Sequence, residues 1–481
     1  MGDSLSWLFL VPAPNLRKAV RHGVSCAVLA SCLPLQAATY FWSSRGSGSQ
    51  NWNSRRNWVG GTLPVSNAGN DLVFDIANLV PGGATATVDN SPNWLFNTLT
   101  LAQSSFSVNI QQSLTINTLT RPNISPTTVS PNTINGSLTV TGNGILSFTA
   151  GNGTSTPAGT LNAVISTAGA NARATLGGVW NIGAAGRLTD TAGTFTLSGI
   201  TLNGTAGAST ITGTGFGLTG TNVLNQVTNT AALTVGSGTS TITGTQTNTG
   251  GIIVSGGTLR LAGSSPGPAG TLNNGSVAVS GTGVLDLQAG GTFNAASLSQ
   301  TGGTTHFNTA IGAGSVSFTG GAVDGTEPGF AAGSSVTNSA VNLNPGGNTL
   351  VPNGTPITWS FTNYTQNANG SLTLDVFGVS AYDRLVLSGR GTLGGALNIV
   401  WDNGVFSAPL GTRLHLITAA GGISGVFQTV NLNLVNASAS PNWYLAYTLN
   451  GVDLVFNVPE PQTLALAGIA LLMLGLLGRR R

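Results

Sequence analysis

Between residues 97 and 345, only Asp324 and Glu327 are carboxylates close enough in the chain to act as a pair. Two facing carboxylates are what glycoside hydrolysis requires, and clustered acids with a basic partner are what a calcium-assisted lyase requires. Their setting, Asp324-Gly325-Thr326-Glu327-Pro328, reads as a turn punctuated by glycine and proline. A solvated corner is expected there, with a weak calcium site as the alternative. The other acids of this stretch, Asp190 and Asp286, are isolated in sequence. His306 aligns with Arg260 of an internal repeat and should point away from the strand's apolar side. With no acid expected beside it, it reads as a surface residue. His415 alternates with Leu414 and Leu416 and shares a face with Arg413, which suits solvent. Asp383-Arg384 reads as a structural pair. His-Glu-x-x-His, Cys-x-x-Cys and phosphate-loop patterns are all missing. No catalytic residue, metal or cofactor is therefore expected.

A second chemistry is available to aromatic faces. Trp42, Trp52, Trp58 and Trp94 fall within residues 39–96, which hold four of the nine tryptophans. Trp42, Trp52 and Trp58 could stack on sugar rings. The favoured reading is that this segment caps the open end of a repeat structure, because terminal units of solenoids must differ from internal ones.

The composition says which elements hold these residues. Charged residues make up 6% of the chain, against roughly 25% in ordinary domains. Glycine supplies 70 of 481 positions, yet 40% of residues are hydrophobic. Val, Ile, Leu and Phe alternate with Thr, Ser and Asn. A disordered chain lacks that pattern, whereas an all-β chain of short strands and tight turns requires it. The formal net charge is +3, but basic residues crowd the two ends and the middle is slightly acidic. No clustered basic face for nucleic acid is present. Both cysteines, Cys26 and Cys32, lie near the start, so no disulfide is expected in the body.

Repeats sharpen the fold class. Gly136–Phe148 matches Gly275–Leu287 without a gap, and Gly251–Leu261 matches with one deletion. Looser copies are Gly302–Phe307 and Gly314–Phe318. Each is a short strand, a glycine corner or both. Val254 and Val279 stand about 25 residues apart, within the period range of a solenoid. These units resemble the autotransporter-associated β-strand repeats of bacterial surface proteins. The resemblance implies an all-β, right-handed parallel β-helix, a scaffold that in other proteins carries polysaccharide-active enzymes. Roughly ten to twelve coils between Asn97 and Pro345, about 4.8 Å apart, would make a rod on the order of 50–60 Å long. Residues 39–96 resemble the opening segment before such repeats. Residues 346–457 resemble the segment that closes an autotransporter passenger, and form the expected C-terminal β cap.

The termini carry addresses. Arg17, Lys18 and Arg21 precede an apolar stretch, and Gln36-Ala37-Ala38 offers small residues for cleavage, so residues 1–38 read as a signal peptide. Leu29-Ala30-Ser31-Cys32 also fits a lipobox, in which Cys32 would be acylated. At the other end Val458-Pro459-Glu460-Pro461 precedes an uncharged apolar run from Thr463 to Gly478 and then Arg479-Arg480-Arg481. The run suits a transmembrane helix, with its arginines on the cytoplasmic side. Residues 458–481 resemble the PEP-CTERM sorting signal. That resemblance implies exosortase as a partner, transient anchoring in the inner membrane, and delivery to the cell surface or an exopolysaccharide-rich matrix. Function is expected to be non-enzymatic, with an adhesin or polysaccharide-binding rod as the alternative and a polysaccharide-active enzyme behind it.

Overall fold

The structure, a computed structural model, describes residues 38–456 except for loop segments at 43–51, 75–84, 89–93, 102–106, 118–132, 152–157, 206–208, 264–268, 326–333, 344–355, 403–408 and 436–441 and a few isolated positions. The expected signal peptide up to Ala37, with Gln36 and Cys32, Glu327 and the tail with its apolar run lie outside the described residues; Ala38, the last of the expected cleavage residues, is described, and its N–H donates to Asn70 Oδ1 at 2.9 Å. Among the described residues no helix is long and apolar enough to cross a membrane.

The chain winds as coils of three short strands. In order within a coil they join three parallel ladders, here A, B and C. Ladder A starts at Thr85–Val88 paired with Ser107–Ile110 and passes through Ser137–Val140. Ladder B starts at Trp94–Phe96 paired with Ser113–Asn117 and reaches Ile423–Gly425 through about fifteen rungs. Ladder C starts at Thr39–Phe41 paired with Asp71–Phe74. Alternation explains the core. In the strand Ser137–Val140, Leu138 and Val140 point in and are buried, while Ser137 and Thr139 are only partly covered. The rung above repeats the pattern, so Leu138 lies in register with Ile165. At about 4.8 Å per rung, ladder B is roughly 65–70 Å long.

The repeat spacing holds: Val254 pairs with Val279 in register. The repeated unit, however, is not one whole coil. Gly136–Phe148 supplies rungs of ladders A and B, while its match Gly275–Leu287 supplies rungs of B and C. One strand–corner–strand unit thus serves two different pairs of faces.

At the boundary expected at residue 345 ladder B runs on, while new parallel sheets begin on the other two faces, at Asn342–Leu343 and Thr358–Phe361. Ser335–Asn338 pairs with Asn363–Gln366, and Asn342–Leu343 pairs with Ser371–Leu372. Parallel rungs continue to Val435, and only the antiparallel hairpin of Trp443–Thr448 and Gly451–Phe456 departs from them. Most of the expected C-terminal cap is therefore more solenoid. The reason is that its inward positions, such as Leu372, Leu397 and Ile399, still require a rung on either side.

Corners need residues without a side chain. Gly238 has φ of 69°, and a Cβ there would sit 2.2 Å from the Gly220 carbonyl oxygen one coil away. Replacing Gly238 by Ala is expected to cost about 1–3 kcal/mol, because a left-handed non-glycine residue is strained and the clash is with backbone. A lower urea midpoint for G238A than for a control G236A, which meets open space, is the check.

Candidate functional site

The three tryptophans proposed for sugar stacking are buried, with exposures of 1%, 0% and 2% for Trp42, Trp52 and Trp58. Trp42 meets Trp58 edge-on at 5.0 Å and stacks on Phe74 at 5.4 Å. Trp52 meets Trp94 at 6.0 Å, and the Trp58 indole N–H donates to the Trp52 carbonyl at 2.9 Å. Their faces are spent on one another and on the first rungs of ladders B and C. The stacking reading fails for these residues because no ring face is left for a sugar. The cluster covers the N-terminal end of the core.

The charged residues fall into pairs that sequence distance hides. On ladder C, Arg260, Asp286, His306 and Asp324 occupy one column on successive rungs. Arg260 Nε donates to Asp286 Oδ2 at 2.8 Å, and Gln288 Nε2 donates to the other oxygen. The reading of His306 as a residue with no acid beside it is thus corrected: its neighbours in register are Asp286 and Asp324. The signal was available, since the repeat alignment that set His306 against Arg260 also sets Asp286 in that column. Asp324 lies in the strand Ala322–Gly325 rather than in a turn.

In the last coil, His415 Nδ1 stands 2.7 Å from Asp453 Oδ1 and Arg413 Nη1 3.4 Å from Asp453 Oδ2. Arg413 and His415 do share an exposed face, as expected, but the antiparallel strand Gly451–Phe456 brings a carboxylate to both. The His415 backbone N–H also reaches the Tyr382 hydroxyl at 3.3 Å.

Three further acids are interior, Asp190, Asp375 and Asp383. Asp190 is buried and accepts from Thr167 Oγ1 at 2.5 Å, from Thr214 Oγ1 and from the Gly215 N–H at 3.3 Å. Asp383 is buried and accepts from the Ile357 N–H at 2.8 Å and the Asp375 N–H at 3.0 Å. It ties three chain segments into one corner. Burial pushes its pKa up to about 6, and the two backbone N–H groups oppose that shift. Arg384 points elsewhere, its guanidinium 5.9 Å from the centre of the Tyr382 ring.

What these groups can do chemically is hold coils together. Asp190, Asp286 and Asp383 each spend their oxygens on hydrogen bonds or an ion pair within the rod. The part of the chain with an assigned role is the tail: residues 457–481 match the PEP-CTERM protein-sorting motif. This match covers Val458, Pro459, Glu460, Pro461, Arg479, Arg480 and Arg481. A chain bearing this motif is marked for export and for processing by exosortase. The match does not extend into the repeats, and comparison with curated proteins finds no match.

Asp383 gives a pH signature. Its folded pKa lies above its unfolded value, so its protonated form favours folding. That contribution is complete below about pH 4 and is lost as pH rises through about 6. From 3.8 to about 6 the shift amounts to on the order of 3 kcal/mol. Melting between pH 4 and 7 should show D383N with a flatter pH dependence than the parent chain. Equal slopes would rule out the assignment.

Proposed function

We propose that this chain is a non-enzymatic, exported β-helix rod, sorted by exosortase and delivered to the cell surface or the extracellular polymer matrix. One observation carries the reading: a PEP-CTERM motif follows directly on the antiparallel hairpin that ends a parallel solenoid. The last described strand residue is Phe456, and Val458-Pro459-Glu460-Pro461 follows at once. The apolar run Thr463–Gly478 would hold the C-terminal end at the inner membrane until processing. Right-handed winding agrees with the strong preference of parallel strand–crossover–strand units.

A second reading, a rod that binds polysaccharide, is favoured by one face. The outward column of ladder B runs Thr196, Gly217, Thr234, Ile253, Ala278, Ser299 and onward to Ser317, Thr337 and Thr365. It is uncharged and mostly hydroxyl-bearing, which suits a neutral, hydroxyl-rich polymer such as an exopolysaccharide.

Deleting Val458–Arg481 is expected to abolish surface delivery and leave the rod folded. Fractionation with an antibody to the rod checks this, and unchanged delivery would defeat the sorting reading. Mass spectrometry of the surface form should find the terminal arginines gone.

A further inference from the structure

The two ends of the rod are finished differently. At the N-terminal end Trp42, Trp52 and Trp58 seal the core, and Arg55 and Arg56 stand exposed beside them. At the C-terminal end no such seal exists among the described residues. Among the described residues the sheet that begins at Asn342–Leu343 stops at Thr429–Val435, which pairs only with Ala396–Asp402. Its outer edge therefore carries a row of backbone N–H and C=O groups. Ladder B stops at Ile423–Gly425. On the remaining face Gly451–Phe456 and then Trp443–Thr448 run on antiparallel, as an overhang two strands deep.

Among the described residues no further coil packs on the inward side chains of this last rung. Val430 and Leu432 are only half-buried, whereas their register partners Leu397 and Ile399 are 0% exposed. Trp443 and Leu445 of the overhang are also half-buried against the core. Beyond them Tyr444, Tyr447 and Leu449 are exposed at 46%, 37% and 80%.

Charge is missing as well. From Gly421 to Asn450 the chain has no Asp, Glu, Lys, Arg or His. Natural sheets block open edges with charges, proline or bulges. Trp443–Thr448 has none of these and consists largely of aromatic and aliphatic strand formers, the composition of a segment that pairs with its like.

We propose that this end binds a second copy of the same chain, so that two rods join C-terminal end to C-terminal end. A two-fold axis normal to the rod sets the terminal strands of two copies antiparallel, which is a hydrogen-bonding arrangement, and makes the surface self-complementary. Identical uncharged surfaces meet without repulsion. Each copy supplies the rung that Val430 and Leu432 of the other lack. Each overhang then lies along the partner's open edge.

Single-cysteine cross-linking in intact cells tests this with the full chain, whose own cysteines, Cys26 and Cys32, precede the rod. Asn431→Cys lies on the open rung, and Ser299→Cys on the middle of ladder B is the control. With a short bismaleimide, N431C is expected to give at least a tenfold higher yield of a species of twice the mass. Adding N433K and Y444K, both at exposed positions, should return that yield to the control level. Equal yields at the two cysteines, a yield untouched by the lysines, or an adduct of another mass would overturn the proposal. The readout is taken in whichever fraction the protein occupies, so it stands or falls separately from the sorting reading.

Discussion

A single coil of this chain cannot satisfy itself. Its three strands are too short to bury their inward side chains, and their backbone groups point along the rod axis, where only another coil can meet them. Stacking answers both demands at once. Each rung pairs with the one below and also covers it, as Leu138 is covered by Ile165. This is why the chain tolerates so little charge. The inside of every rung is apolar, and the outside is a ladder of like residues repeated about every 4.8 Å, where a run of one charge would repel itself. The charges that do occur are arranged accordingly: Arg260 and Asp286 are opposite in sign on adjacent rungs.

The corners impose the second constraint. Where the chain turns between faces, backbone carbonyls leave the ladder and have no rung to receive them. Buried amides fill that role. Gln366 Nε2 donates to the carbonyls of Gly394 at 2.7 Å and Ala396 at 2.8 Å, one coil on. Asn338 Nδ2 reaches the Ser371 carbonyl at 3.0 Å, and Gln300 Nε2 that of Ala322 at 2.9 Å. Gln300, Asn338 and Gln366 take comparable places on ladder B, so the polar interior is itself a repeat. An amide suits this task because it offers two donors and carries no charge to desolvate. Asp383 performs the mirror task, accepting from backbone N–H groups, and burial raises its pKa because the charged carboxylate is desolvated there.

These constraints decide what could be read from sequence. Alternation and glycine corners are local, so the all-β class, the parallel coils and the register of Val254 with Val279 were legible. The assignment of strands to faces was not, because corners between different faces look alike; Gly136–Phe148 and Gly275–Leu287 match residue for residue yet occupy different ladders. Nor was the ion pair of the last coil: Asp286 meets Arg260 across 26 residues in a column the repeat alignment already marks, whereas Asp453 meets His415 across 38 through an antiparallel return that no repeat marks. The tryptophans misled for a different reason: residue type says that a ring can stack on a sugar but not whether the ring is already stacked on Phe74. The tail was legible because its recognition depends on linear order, not on folding.

A stack of coils must also stop twice, and stopping is a separate problem from stacking. The last rung in each direction has the same unmet needs as an isolated coil. At the N-terminal end the solution is bulk: indole rings large enough to replace a missing rung, with Trp58 tied down through its N–H to the Trp52 carbonyl. At the C-terminal end the solution is partial. The hairpin Trp443–Phe456 extends one face and places Phe456 against Trp401 at 5.0 Å, but among the described residues it leaves Thr429–Val435 with a single neighbour strand. Indole bulk at one end and an antiparallel hairpin at the other are two answers to the same demand.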